Sequence, residues 1–175
     1  MVSRWWRGAS RWLLNPLVQV AVILGVAAFF RLWTIDSLPP GLFGDEAAEG
    51  LDALDVLAGR GQVFFPTNYG REGLYIWLVA ASIKLFGITP LATRLPAIAL
   101  GILTCGLAWW MARELVAALA PRPGSTPHPS PSLLSWLTAW APLIVGLYLA
   151  TAYWHVHFSR FSQRTILTPF AIALA

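Results

Sequence analysis

The chain has 175 residues, of which 57% are hydrophobic and only 11% are charged, and its formal net charge is +4. A soluble domain of this length could not bury so much apolar surface, so the composition indicates a membrane protein and excludes disorder, coiled coil and nucleic-acid binding as main themes. The single cysteine, Cys105, excludes a disulfide framework within the chain and a thiolate metal site.

The few charges are distributed unevenly along the chain. Residues 34–72 hold seven of the eight acidic residues against two arginines, which gives this stretch a formal charge of −5. The segment 1–16 carries Arg4, Arg7 and Arg11 and no acidic residue. Under the positive-inside rule, this asymmetry predicts a cytoplasmic N-terminal segment and an external location for the acidic loop.

Apolar stretches long enough to cross a bilayer follow one another along the chain. A hydrocarbon core about 30 Å thick needs roughly 17–25 apolar residues in a helix. The sequence predicts transmembrane helices at 17–33, 95–112 and 133–154, and the start of a fourth at 166–175. Because the chain stops inside that fourth apolar run, we expect it to be the N-terminal piece of a longer protein.

The apolar stretch 74–86 is too short for such a span and contains Lys84. At about 1.5 Å per residue, a helix of this length would cross roughly two thirds of the hydrocarbon core. We therefore interpret it as a helix lying at the membrane interface, with Tyr75 and Trp77 at headgroup level. A short true span is the alternative.

These segments predict an all-α, multi-spanning protein of the plasma membrane. If 74–86 lies at the interface, helix 95–112 returns to the cytoplasm and helix 133–154 comes out again. The connecting segments are then an external loop at 34–94, a cytoplasmic linker at 113–132 and a second external loop at 155–165. The first external loop contains the two predicted interfacial helices, at about 46–58 and at 74–86.

The first of these helices has an apolar stripe at helical spacing, formed by Ala47, Leu51, Leu54 and Ala58. The acidic residues of the same helix have two interpretations. Asp45 and Glu46 lie at its N-terminal end, where the helix dipole favours negative charge, and they could simply be helix-start acids. The wet face would then consist of Glu49, Asp52 and Asp55. Alternatively, adjacent carboxylates beside a membrane suit a general base that deprotonates an acceptor hydroxyl.

A second polar cluster follows the third predicted span. Arg160 and Arg164 are spaced i, i+4, so on a helix both guanidinium groups would point one way. Such a pair suits a phosphate, although interfacial arginines also reach towards lipid headgroups. His155 and His157 do not share a helical face, so metal ligation there has little support.

Four motifs in this order resemble the GT-C superfamily of membrane glycosyltransferases, specifically its protein O-mannosyltransferase and aminoarabinose-transferase-like group. The motifs are LPPGLFGDE at 38–46, FFPTNYGRE at 64–72, LFG at 85–87 with RLP at 94–96, and the run from Trp154 to Arg164 that contains Ser159-Arg160 and Gln163-Arg164. The resemblance extends from about residue 30 to the end of the chain. The ordered series carries it, because no single motif is specific.

The resemblance implies an enzyme whose first external loop carries the catalytic carboxylate. It implies inverting transfer of a sugar from a polyprenyl-phosphate donor to a glycan, lipid or protein acceptor at the cell envelope. By that carry-over, Asp45 is the general base, and Glu46 positions the acceptor or tunes the base. The remaining assignments are donor phosphate binding by Arg160 and Arg164, and loop support by Asn68, Arg71 and Glu72.

The resemblance leaves the cofactor and one alternative open. Many members have an acidic residue after the Ser-Arg stretch, whereas Thr165 follows Arg164 here, so a carboxylate-held metal has less support. The resemblance identifies no required cofactor, and a divalent metal stays open and unassigned because the adjacent Asp45 and Glu46 would need other ligands. The alternative is a truncated or non-catalytic multi-spanning protein, a scaffold or transporter piece. A transporter should carry ionisable residues inside its spans, and Arg31 is the only charge well inside one.

Overall fold

The structure, a computed structural model, describes residues 14–67, 69–119 and 131–175, with only the backbone at 131–138. Predictions for the first thirteen residues, for the central part of the linker (120–130) and for Asn68 lie outside the described residues.

The described chain is mostly helical, as predicted, although it also contains two short strands. The multi-spanning arrangement stays a prediction. The helices are α1 (Pro16–Leu32), α2 (Gly44–Asp55), α3 (Gly73–Phe86), α4 (Pro90–Leu119), α5 (Pro131–Thr151), α6 (Tyr153–Arg160) and α7 (Leu167–Leu174). A π-helical turn (Val56–Arg60) follows α2, and a 3-10 turn (Arg164–Ile166) precedes α7. Two short antiparallel strands, β1 (Phe64–Phe65) and β2 (Arg71–Glu72), pair Phe64 with Glu72 and Phe65 with Arg71.

Among the described residues, one helix, α4, is long and apolar enough to cross a membrane. Its 30 residues reach about 45 Å at about 1.5 Å per residue. The described helices at Pro16–Leu32, Gly73–Phe86, Ala139–Thr151 and Arg164–Leu174 are apolar but shorter. Of the four predicted spans, the one at 95–112 therefore meets the requirement within the described part of the chain.

The helix predicted at 133–154 ends earlier than expected. It stops at Thr151, and Ala152, with a ψ of 121°, separates it from α6. Most of the segment predicted as a second external loop, 155–165, is consequently helical. The change of direction at Ala152 allows α6 to pack against α1 and α4.

Helices α1, α4 and α5 pack around one apolar cluster, whose buried members are Ile23, Ala27, Cys105, Trp109, Leu143 and Ala150. Gly146 allows α5 to lie directly against α1, since a Cβ added there would be 2.4 Å from Cδ1 of Ile23. Such close approach at small residues is the packing that holds helices together in lipid.

Arg31 is completely buried inside this helical bundle. Its Nε donates to Ser159 Oγ (3.2 Å), and its Nη1 donates to the carbonyl oxygens of Ala27 (3.0 Å) and Ala150 (3.1 Å). Its Nη2 lies 2.6 Å from His155 Nδ1, which must accept because a guanidinium only donates. Burial, and after it the charge of Arg31, lowers the pKa of His155 to about 4. His155 is therefore neutral at pH 7. Through these hydrogen bonds, Arg31 connects α1 to α5 and α6.

A second apolar cluster joins α2 and α3 to the first part of α4. Its buried members include Ala53, Phe65, Tyr75, Ile76, Val79, Ile83, Ala92, Ala97 and Ile166. Helix α3 begins at Gly73, whose N–H donates to the Val63 carbonyl at 2.8 Å. A Cβ at Gly73 would be 2.7 Å from that oxygen, so the approach requires glycine. The helix predicted at 74–86 is thus present, while its position at the membrane interface stays a prediction.

Candidate active site

The buried side of α2 is acidic. Glu46, Glu49 and Asp52 are buried, whereas Leu51 of the predicted apolar stripe is 66% exposed. The prediction that Glu49 and Asp52 lie on a wet face is therefore wrong, because buried basic partners and a polar cavity face this side of the helix. The sequence did contain a signal, since Asp45, Glu49 and Asp52 repeat at i, i+4 and i+7.

Glu46 is paired with Arg94 of α4. Arg94 Nε donates to Oε1 at 2.9 Å and Nη2 donates to Oε2 at 3.2 Å. The backbone N–H of Phe43 also donates to Oε2, at 2.8 Å, which caps the start of α2. Both carboxylate oxygens of Glu46 thus hold the start of α2 in place. Because Asp45 is the preceding residue, these contacts also fix its position. Arg94 also donates to the carbonyl oxygens of Ile35, Pro39 and Gly41.

Arg71 is buried next to α2. Its Nη2 lies 2.8 Å from Asp52 Oδ2 and donates to Thr67 Oγ1 at 3.1 Å. Thr67 Oγ1 in turn donates to Asp52, at 2.9–3.0 Å from its two carboxylate oxygens. These contacts connect the β-hairpin to α2. Within the described residues, Nε and Nη1 of Arg71 have no hydrogen-bond partner, although both atoms are buried.

A polar cavity of about 330 Å³ lies against this face of α2. Its walls come from the helix, the β-hairpin and the 3-10 turn, and the lining residues are Asp45, Glu49, Tyr69, Arg71, Gln163, Arg164 and Thr165. Two carboxyl groups and two guanidinium groups therefore line one space. The structure brings the predicted base, Asp45, together with one of the two predicted phosphate ligands, Arg164.

Arg164 reaches this cavity because the chain turns sharply after α6. Ser162 has a φ of +51°, in the left-handed region that non-glycine residues rarely occupy. Its buried hydroxyl donates to the Thr93 carbonyl (2.8 Å) and lies 2.7 Å from the Tyr75 hydroxyl, which together fix the turn. Nη1 of Arg164 then lies 3.5 Å from Glu72 Oε2, an exposed carboxylate oxygen at the edge of the hairpin.

Arg160 lies elsewhere and contacts the C-terminal end of α1. Its Nη1 donates to the carbonyl oxygens of Phe30 (3.0 Å) and Trp33 (2.8 Å), and its Nη2 donates to that of Leu38 (2.6 Å). Helix α6 ends at Arg160, so the expected helical face shared with Arg164 is not formed. A cation at a helix C-terminus stabilises the free carbonyl groups, which accounts for this position.

Glu49 is a component of the cavity that the sequence interpretation missed. It is 3% exposed, and its Oε2 has no hydrogen-bond partner among the described residues. Burial raises the pKa of Glu49 to about 8; Arg71 and Arg164 oppose the shift, whereas Asp45 and Glu46 add to it. The side chain is therefore mostly protonated at neutral pH, unlike an ordinary glutamate.

The described residues contain no group of three or more His, Cys, Asp or Glu side chains placed to hold a metal ion. A divalent metal therefore remains unassigned.

Within the described residues, the fold and the cavity define a class: a mostly helical protein with one membrane-length helix and a half-open cavity of mixed charge. A scan against models of protein families, a search of curated proteins and a search of solved structures found no match to this chain. The resemblance to GT-C glycosyltransferases rests on the ordered motifs described above.

Proposed function

We propose that this chain belongs to a multi-spanning membrane glycosyltransferase that uses a polyprenyl-phosphate sugar as donor. The reaction transfers the sugar, with inversion, to a hydroxyl group of a glycan, lipid or protein acceptor. The observation that supports this proposal is the cavity lined by both Asp45 and Arg164. A base for the acceptor and a cation for the departing phosphate are the two groups that this reaction needs.

The roles follow from the chemistry of a single displacement. Asp45 accepts the proton of the acceptor hydroxyl while its oxygen bonds to the anomeric carbon. The bond from that carbon to the phosphate oxygen breaks, and the polyprenyl phosphate leaves with the electron pair. Arg164 and the buried Arg71 line the cavity and stabilise the charge that develops on the phosphate. Glu46 keeps the start of α2 in place through Arg94 and is a positioning residue.

The proposed topology suits a donor that is itself a lipid. Helix α4 spans the bilayer, and further spans are formed by the segments that contain α1, α5 and α7. Helix α3 has 14 residues, about 21 Å in length, and lies at the interface because it is too short to cross about 30 Å of hydrocarbon. The N-terminus is cytoplasmic, and Asp45 and Arg164 are external, where a polyprenyl-linked sugar presents its anomeric carbon at headgroup level.

The test is sugar transfer in membranes from cells that express the gene and from cells that lack it. Polyprenyl-phosphate donors carrying different labelled sugars are supplied one at a time, and the label is followed into lipid, glycan and protein fractions. We expect incorporation that depends on the gene, with an anomeric configuration in the product opposite to that of the donor. Absence of incorporation from every donor would contradict the proposal and favour the non-catalytic scaffold or transporter.

A further inference from the structure

We propose that Glu49 is a further substrate-contacting residue of this cavity, a neutral carboxylic acid that donates a hydrogen bond to a phosphate oxygen of the donor. The inference rests on the proposed function and specifies how the donor is recognised. It assigns to Glu49 a role that the ordered motifs do not imply.

The first support is the geometry of α2. Glu49 follows Asp45 by one helical turn, so both side chains project from the same face, and both line the cavity. Oε2 of Glu49 is buried without a hydrogen-bond partner in the described residues. A buried polar atom left in this way costs about 1–3 kcal/mol, and few such atoms occur in a native protein. A bound ligand that accepts a hydrogen bond would remove this cost.

The second support is another lining residue whose buried polar atoms lack hydrogen-bond partners. Arg71 also lines the cavity, and its buried Nε and Nη1 atoms donate to nothing in the part of the chain that the structure describes. Glu49 and Arg71 do not satisfy each other by hydrogen bonding in this arrangement. One anionic group with several acceptor oxygens can serve both side chains. A phosphate has this chemistry, and it is the group that the proposed donor carries.

The charges around Glu49 decide which protonation state can bind an anion. The titratable and charged groups around Glu49 are Asp45, Glu46 and Asp52 on α2, Tyr69 in the hairpin, Arg71 on β2, Tyr75 on α3 and Arg164 on the 3-10 turn. An ionised Glu49 would compete with the phosphate for the two arginines. A neutral Glu49 leaves Arg164 and the Nε and Nη1 donors of Arg71 available to the anion and adds a donor of its own, while Nη2 of Arg71 stays paired with Asp52. Burial favours this neutral form.

The proposed contact adds no proton transfer to the reaction. The acceptor proton goes to Asp45, the bond from the anomeric carbon to the phosphate oxygen breaks, and Glu49 keeps its own proton. The donor phosphodiester carries one negative charge, and a second develops on the phosphate as it leaves. A hydrogen bond from Glu49 therefore strengthens towards the transition state, which is the requirement for a catalytic contact.

Binding of a phosphodiester to the purified protein in detergent tests this inference separately from transfer. The probe is a short-chain prenyl phosphodiester without a sugar, whose single charge stays constant between about pH 6 and pH 9.5. For the wild type, we expect constant affinity up to about pH 8 and then a loss of roughly tenfold per pH unit, because Glu49 ionises. Glu49→Gln keeps a neutral donor and should bind with little change across this range.

The matched control is Asp55→Asn, which removes an acidic group from the exposed end of the same helix. We expect it to keep the alkaline loss of the wild type. An alkaline loss of equal size in Glu49→Gln would overturn the inference, as would a wild type that binds the probe equally at all pH values or never binds it. Transfer activity with pH-independent binding would contradict only the role of Glu49. Binding without any transfer would contradict only the proposed reaction.

Infrared spectroscopy provides a second readout that does not depend on the folding of a Glu49 variant. A protonated carboxylic acid has a carbonyl stretching band that an ionised carboxylate lacks. At pH 7 we expect such a band in the wild type and in Asp55→Asn, and we expect it to shift when the phosphodiester binds. A wild type without the band, or with a band that the phosphodiester does not shift, would overturn the inference.

Discussion

Glu46 and Arg94 form a buried ion pair with two hydrogen bonds, of 2.9 Å and 3.2 Å between nitrogen and oxygen. The pair joins the first turn of α2 to α4, the one described helix that is long and apolar enough to cross a membrane. Asp45, the neighbour of Glu46 in the sequence, lines the cavity instead. The two adjacent acids that the sequence treats as one motif thus have different surroundings, and their substitutions should have different effects.

Glu46→Gln should reduce the free energy of unfolding by about 3–5 kcal/mol, because it leaves the Arg94 guanidinium buried without a counter-charge. Thermal unfolding in detergent measures this change. The matched control is Asp55→Asn, which breaks the exposed pair with Arg60 and should cost about 0–1 kcal/mol. Equal losses for the two variants would show that the Glu46–Arg94 pair does not hold α2.

Asp45→Asn should reduce transfer by a factor of about 10²–10⁴, the usual contribution of a general base, while the protein still folds. Asp45 is only half-buried, so its replacement by an isosteric amide removes the base without creating a void. The measurement is the initial rate of sugar transfer in membranes at matched protein levels. Asp36→Asn, which changes an exposed acid in the same acidic segment, should keep the wild-type rate. Near-normal transfer by Asp45→Asn would remove Asp45 as the base.

The two arginines of the second polar cluster should respond differently to alanine substitution. Arg164→Ala removes a guanidinium from the cavity and should raise the apparent KM for the donor more than that for the acceptor. Arg160→Ala removes the hydrogen bonds to the end of α1 and should instead lower the unfolding temperature. Donor titrations and thermal unfolding of both variants measure the two effects. An Arg160→Ala variant with normal stability and a raised donor KM would restore the phosphate role predicted from its spacing.

The positions of most helices could be predicted from the sequence, because these helices coincide with apolar runs whose position and length are visible in the hydropathy. The orientation of α2 could not be predicted. An apolar stripe and an acidic stripe occur at the same helical spacing in this segment, and sequence reasoning favours burial of the apolar one. The acidic stripe is the buried one because Arg71 and Arg94, which lie on other elements, form buried ion pairs with Asp52 and Glu46.

The different positions of Arg160 and Arg164 could not be predicted from the sequence either. Their i, i+4 spacing predicts a common face only while the helix continues, and the helix ends at Arg160 without a glycine to signal it. Ser162 adopts the left-handed conformation instead, and contacts with Thr93 and Tyr75 hold it there. These partners belong to other helices, so the conformational preferences of residues 160–164 alone do not predict the turn.

Gly101→Ala should destabilise the helical bundle. A Cβ at this position would lie 2.1 Å from Ser159 Oγ and 2.9 Å from Arg31 Nε, so the added methyl group must displace the hydrogen bond between them. Overpacking of this kind costs about 1–3 kcal/mol, and the displaced Arg31 donor adds to it. The matched control is Gly25→Ala on α1, where no atom lies within 4 Å of the added Cβ. In a helix interior this control should stabilise the protein by up to about 1 kcal/mol.

Opposite signs of the two changes in thermal unfolding would therefore show that the contact at Gly101, rather than the loss of glycine, is responsible. A second substitution tests the identity of that contact. Ser159→Ala removes the atom nearest to the new methyl group, so the double variant should be more stable than the sum of the two single changes predicts. Strict additivity would mean that Ser159 and Gly101 do not touch, and would contradict the close approach of α4 and α6 at this position.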